Sequence, residues 1–462
     1  MEFNKMIETY QNLYLSDLKE LIAIESTEDL AGATTHAPFG LRVREALDCM
    51  LSIAKRDGFK VIDYDGYAGA IIYGDGEESV GVLGHLDIVP LGEDWTKKPL
   101  GLDMEDGYVF GRGVLDDKGP TLAAYYALKS IKEEGLKLSK KIILIVGCNE
   151  ETGMACMDYY AKYGEIPSCG FTPDADFPVI YGEKGHLNFD IVSKDKTLIQ
   201  ELYAGSRPNI VIGKAEAVLP KLNDKQKEQF DFYLETNALQ GKITAQGETD
   251  LLHIDGVYYH AAACYNGVNA ALHILNFVGV AFQDALASTL YKLLRDWKGS
   301  AFNIAIDGGY MGFLTMNTGV VSIDDEETRI TMDIRYPNDR LGSAYVEDIK
   351  EVMRKQEIDL RMEKLEISEP LFVDPNASLV TTLMQGYRKF SGDTFSPAKT
   401  IGGGTYARKF KNFVAFGPEF TNVEKPKHMF VGGPHEKDEG VRLNDLMKAM
   451  AIYADAIKNL AR

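Results

Sequence analysis

Eight histidines in 462 residues are few enough to take singly, and two stand where a metal ion or a proton could be handled. His85 lies in Gly84-His85-Leu86-Asp87, directly after the apolar run Val80-Gly81-Val82-Leu83. In extended chain, residues i and i+2 face the same way, so Asp87 can approach the His85 ring and fix its tautomer for ligation. His435 sits in a tight glycine/proline loop, Gly432-Gly433-Pro434-His435-Glu436. Acids accompany both. Asp116 and Asp117 lie between glycines in Gly111-Arg112-Gly113-Val114-Leu115-Asp116-Asp117-Lys118-Gly119, where they could equally cap a following helix. Glu150 and Glu151 end another apolar run. Adjacent carboxylates repel, and one stays protonated unless a cation is present. A divalent ion resolves that conflict: one Glu ligates while its neighbour takes a proton from water. Asp174 stands between Pro173 and Pro178, where the backbone is stiff. Each segment alone has an ordinary reading as a packed histidine, a helix cap or an acidic turn. Together they form the oxygen and nitrogen donor set that suits Zn2+ or Mn2+.

The elements that must position these residues follow from periodicity. Apolar positions recur at helical spacing over 5–24 and 41–56, and β-rich runs follow at 70–73, 80–84 and 142–146, with a helix over 119–134 between the last two. Strands alternating with helices predict an α/β sheet, and in such a sheet the strand ends converge at one carboxyl edge. From about residue 185 the texture changes. Strand patterns at 187–192, 328–335 and 358–367 mix with helices at 222–238, 267–278 and 343–355. A helix from 376, a β run at 412–416 and an amphipathic helix over 440–460 complete the chain. The expected fold is an α/β domain with a mixed sheet flanked by helices, formed by 1–185 and 381–462. An inserted α+β domain over 186–380 interrupts it.

Composition narrows the function. Lys+Arg number 50 against 69 Asp+Glu, a formal charge of −19, which disfavours binding to nucleic acid or to an anionic membrane surface. No apolar run approaches the ~20 residues of a membrane span. Five scattered cysteines without a CxxC pair argue against a disulfide framework and predict a reducing, cytoplasmic setting.

Gly-His-Leu-Asp at 84–87, Gly-Arg-Gly-x-x-Asp-Asp-Lys-Gly at 111–119, Glu-Glu-x-Gly at 150–153 and the late Gly-Pro-His occur in one order. This set resembles the co-catalytic zinc peptidase family that includes carboxypeptidase G, aminoacylase and carnosinase. The segments Phe171-Thr172-Pro173-Asp174-Ala175 and Ile401-Gly402-Gly403-Gly404-Thr405-Tyr406-Ala407-Arg408 resemble its bacterial PepV-type dipeptidase branch most. The resemblance spans essentially the whole chain. It implies two divalent ions, Zn2+ with Mn2+ or Co2+ as alternatives. His85 and Asp174 would hold one ion and Glu151 with His435 the other. Asp116 would bridge them, and its peptide bond to Asp117 is cis in relatives. Asp87 would orient His85, and Glu150 would be the general base.

The inserted domain would act as a lid, with His260 steadying the oxyanion and Asn209 reaching the substrate. Arg335, in Asp333-Ile334-Arg335-Tyr336-Pro337, would grip the substrate carboxylate together with Gly403 and Thr405. The implied activity is hydrolysis of dipeptides with a free N-terminus by a monomer whose insertion supplies the whole lid. An N-acyl or N-succinyl amino acid deacylase shares the same metal chemistry and is the alternative, with a silent peptide-binding relative as the third reading. His36, His186, His253, His273 and His428 match no ligand position and read as structural or solvent-facing.

Overall fold

In the computed structural model, which describes residues 3–421 and 423–462, the first apolar stripe forms the helix Phe3–Ile22 and buries Met6, Tyr10, Tyr14, Leu18 and Leu21. The second forms Leu41–Arg56 and lays Leu47 and Leu51 over Gly69. The strands Ser79–His85 and Lys141–Gly147 are buried almost throughout. That is why both read as unbroken apolar runs: parallel strands at the centre of a covered sheet meet protein on both faces. They pair in parallel with His85 opposite Gly147. Cys169–Thr172 joins Ser79–His85 in parallel on its other side, and Phe413–Phe416 follows it in parallel. Ala68–Tyr73 and Lys60–Tyr64 add antiparallel strands at one flank, and Val179–Glu183 at the other. The sheet is therefore mixed, and the four parallel strands carry their C-terminal ends to the same edge.

The helix Lys118–Glu133 approaches this sheet at Gly84, where an added Cβ would lie 1.9 Å from Thr121 Oγ1. Only a residue without a side chain permits that approach. The final helix, Leu443–Leu460, packs on Lys118–Glu133. It begins at Leu443, three residues later than its pattern predicts, because Gly440–Arg442 is spent as a strand against Tyr108–Phe110.

The second sheet has eight antiparallel strands in the order Gln240–Gln246, Thr249–Asp255, Lys214–Pro220, Glu201–Ala204, Thr315–Ile323, Thr328–Tyr336, Gly185–Ser193, Arg361–Ser368. Alternation shows its half-buried character: Ala215, Ala217 and Leu219 are buried while Lys214 and Glu216 face out. Leu187, Ile191, Ile330 and Met332 share a core with Ile274, Leu290 and Ile349 from the helices Ala270–Ala281, Ala285–Leu294 and Gly342–Arg354. Asn269 sets where the first of these helices begins, its side chain accepting the Leu272 N–H. That shortens the helix predicted from residue 267.

Two compact units result. One comprises the chain up to Gly182, Phe372–Lys399 and Gly404–Arg462; the other comprises Glu183–Leu371 and Thr400–Gly403. The predicted second border at 380/381 falls inside the helix Ser378–Ser391. Its Leu379, Val380, Leu383 and Met384 form one buried stripe, which a border cannot divide. Among the described residues, no helix is long and apolar enough to cross a membrane.

Candidate metal centre

The parallel strands deliver the acids and histidines picked out from the sequence to one place in the first unit. His85 ends its strand, Glu150 and Glu151 follow Lys141–Gly147, and Asp174 follows Cys169–Thr172. His85 Nε2 lies 3.0 Å from Asp116 Oδ1 and 3.7 Å from Asp174 Oδ2. His435 Nε2 lies 3.0 Å from Asp116 Oδ2 and 3.1 Å from Glu151 Oε2. Asp116 thus turns one oxygen to each histidine. Two donor groups share it: His85, Asp116, Asp174 and Asp116, Glu151, His435, with each group's ligand atoms within 4.8 Å of one another. The Asp116-Asp117 bond is cis.

Asp87 has a wider task than its spacing suggested. The nearest group to His85 Nδ1 is the Asp87 carbonyl at 3.0 Å, with its carboxylate at 3.4 Å. The carboxylate accepts the backbone N–H groups of Glu150 and Glu151, both at 3.0 Å. Asp117 is a holder as well, accepting the His85 N–H and the Thr121 hydroxyl. Tyr406 meets the His85 ring edge-on at 5.9 Å and pairs its hydroxyl with Cys156 Sγ.

The electrostatics describe a cluster that wants cations. Burial, reinforced by neighbouring carboxylates, pushes Glu150 well above the usual range and raises Glu151 and Asp174 as well. Burial would hold His85 neutral, but hydrogen bonds with Asp116, Asp174 and Asp87 overcome it and raise the imidazole. His435 rises to about 10 through Asp116 and Glu151. Glu151 Oε1 is buried without a hydrogen-bond partner, an arrangement that costs free energy unless something binds there. Two histidines and four acids, Asp116, Asp174, Glu150 and Glu151, fit a pair of divalent ions in donor type and in charge.

Residues 81–459 match the model of peptidase family M20/M25/M40. The chain belongs to that family. A Staphylococcus epidermidis protein with the provisional name dipeptidase is 37% identical to this M20 chain over 466 residues, covering 97% of each. Two solved structures share its fold at low identity. The aminopeptidase PepT of Bacillus cereus has TM-score 0.57 and 14% identity over 98% of this chain and 99% of its own. Human carnosine dipeptidase 1 has TM-score 0.54 and 16% identity over all of both chains. Membership in a metallopeptidase family implies divalent metal ions for the donor groups of this M20 chain.

Its second unit holds Asn209, His260, Arg335 and Gly403, and brings the first three near one another. Ile210 and His260 form a β-bridge, and the Ala261 N–H donates to the Asn209 carbonyl at 2.9 Å. A Cβ on Gly402 would sit 2.7 Å from the Ala262 methyl. His260 Nδ1 accepts the Ala262 N–H at 3.2 Å, so in the neutral ring Nε2 carries the proton. Partial burial and the Arg335 charge lower the His260 pKa and favour that neutral form. Asn209 and Arg335 line a cavity of about 450 Å³ with Asn188, Asp333 and Lys364.

Two predicted substrate contacts have other partners. The Arg335 fork is occupied, Nε and Nη2 donating to Asp333 at 2.5 and 2.7 Å, while Nη1 donates to the Gly402 carbonyl and to His186. The Thr405 hydroxyl accepts the Ala407 N–H and caps a short 3-10 helix. Of the histidines read as structural, His253 lies between Glu216 and Asp255, His273 pairs with Tyr233, and His428 pairs with Asp106. Tyr406 lies inside the segment 401–408, but nothing local in the sequence marks its contact with a histidine 321 positions away.

Proposed function

We propose that this M20 chain is a metal-dependent dipeptidase acting on dipeptides with a free N-terminus. The observation that carries the reading is Asp116, shared between two histidines from distant segments, with the Glu150 backbone held by Asp87. The ions are read as Zn2+, with Mn2+ or Co2+ accepted by the same donors. What such ions supply when bound is polarisation of a carbonyl and a lowered pKa for water. Glu150 takes the proton from the attacking water as the oxygen–carbon bond forms. It then hands that proton to the leaving amine nitrogen as the carbon–nitrogen bond breaks. A buried carboxylate suits this shuttle because it holds a proton more readily than an exposed one.

His260 donates its Nε2–H to the developing oxyanion. Asn209, Arg335, the Gly403 amide and Thr405 are read as recognising the substrate's carboxylate end, Arg335 exchanging its Nη1 bonds to His186 and the Gly402 carbonyl for the substrate while Asp333 holds its plane. The roles of these residues are those that the family resemblance implies, and their chemistry suits them. The chain is read as a monomer of the reducing cytoplasm, in keeping with its five free cysteines.

The test is hydrolysis of a dipeptide panel beside tripeptides and N-acetyl and N-succinyl amino acids. Each would be run after chelation and after return of Zn2+ or Mn2+, on protein sized by light scattering. Metal-restored cleavage of dipeptides alone supports the reading. Cleavage of only the acylated compounds would make the chain a deacylase, and silence with metal bound would make it a binding protein.

A further inference from the structure

We infer that Glu439 is the positioning residue that holds Asp116 and His435 in register with each other; this rests on the metal-centre reading above. Glu439 is fully buried, and its Oε1 accepts three backbone N–H groups: Gly113 at 3.0 Å, Leu115 at 2.9 Å and Asp116 at 3.2 Å. Oε2 accepts Arg112 Nη1 at 2.7 Å, and the Glu439 carbonyl accepts the Gly111 N–H at 3.0 Å. A single residue therefore organises the whole turn from 111 to the shared ligand. Its own backbone lies at the closure of the loop that carries His435. Gly432 donates to the Asp438 carbonyl at 2.9 Å and Gly440 to the Gly432 carbonyl at 3.1 Å. The two ligands come from segments more than three hundred residues apart, and both meet at this carboxylate. Arg112 is buried against the Trp95 ring and supplies the countercharge.

Its neighbour provides an internal comparison. Asp438 is equally buried and also accepts three hydrogen bonds, from Thr96 N–H at 2.8 Å, Thr96 Oγ1 at 2.9 Å and Lys97 N–H at 2.9 Å. The turn its side chain holds, at Thr96 and Lys97, carries no ligand, and its part in the His435 loop is made by the backbone carbonyl, which Asp438→Asn keeps. A residue that merely ties loops together should behave like Asp438, whereas a positioning residue should change the ions themselves.

The experiment uses the full chain with Glu439→Gln, Arg112→Lys and Asp438→Asn. Co2+ binding is followed by calorimetry and by the visible spectrum, and kcat, KM and the metal-free Tm are measured alongside. Glu439→Gln should weaken binding of at least one Co2+ by about 10–100-fold and alter the spectrum. It should lower kcat with KM within about twofold. Arg112→Lys keeps the charge but not the planar fork, so it should weaken binding in the same direction by about threefold or more. It decides the question if Glu439→Gln does not fold. Asp438→Asn should lower Tm and leave Co2+ affinity unchanged. Wild-type Co2+ affinity and spectrum in Glu439→Gln, or equal weakening in Asp438→Asn, would overturn the inference. Failure of the wild-type protein to bind Co2+ would instead overturn the metal-centre reading.

Discussion

Glu150 and Glu151 are neighbours in the chain, yet the Asp87 carboxylate holds one backbone N–H of each and Glu151 alone pairs with His435. Of the two adjacent acids only Glu151 faces His435, which is the arrangement that a ligand beside a proton-handling acid would need. The first prediction belongs here. Glu150→Ala removes the proton carrier and none of the donor atoms, so two ions per chain should remain by elemental analysis. Its kcat on dipeptides should fall by about 10²–10⁴-fold. Retention of more than a tenth of wild-type turnover would remove Glu150 from the mechanism.

At the scale of elements, close packing places the ligands. Gly84 precedes His85, and Thr121 occupies the space its side chain would need while also bonding Asp117. Gly84→Ala should destabilise the protein by about 1–3 kcal/mol through overpacking. Gly84→Ala with Thr121→Ala should recover part of that loss in denaturant titrations, and no recovery would show that the clash lies elsewhere. In the second unit, Asp190 is buried and accepts hydrogen bonds from Arg329 at 2.8 Å and Thr331 at 2.7 Å. Burial alone would raise its pKa, but Thr331, Arg329 and Lys364 outweigh it and hold the carboxyl below its ordinary value. A carboxyl with a depressed folded-state pKa stabilises fully above its unfolded value of about 3.9, and that contribution is lost as pH falls through the folded value. Asp190→Asn should therefore cost about 1.5–3 kcal/mol at pH 7. The gap from wild type should narrow below about pH 4; a gap independent of pH would assign the effect to packing.

At the scale of the molecule, the buried acids of the centre tie stability to metal. Ligands that bind only the folded state add stability by mass action, about 2.7 kcal/mol at a hundredfold excess over Kd. Chelator-stripped protein should melt lower than the loaded form, and its Tm should climb with added Zn2+ or Mn2+ but not with Na+ at equal ionic strength. A Tm indifferent to those ions would separate the donor groups from folding.

The amino-acid sequence by itself determined which residues could hold a metal ion, and the fold gathers His85, Asp116, Glu151, Asp174 and His435, because donor type, rigid glycine and proline neighbours and position after an apolar run are local properties. It also determined the helices Leu41–Arg56 and Lys118–Glu133 and the central strands, whose apolar patterns are long and unambiguous. Strands such as Gln240–Gln246, largely exposed, were not legible because their residues carry little alternation. Only the tertiary structure decided partnership. Asp87 holds two glutamate backbones, and Glu439 gathers the Asp116 turn. The physical reason is that a carboxylate's type is set by one codon, whereas its partner depends on sheet order and register. Those rest on packing among segments that lie far apart in the chain.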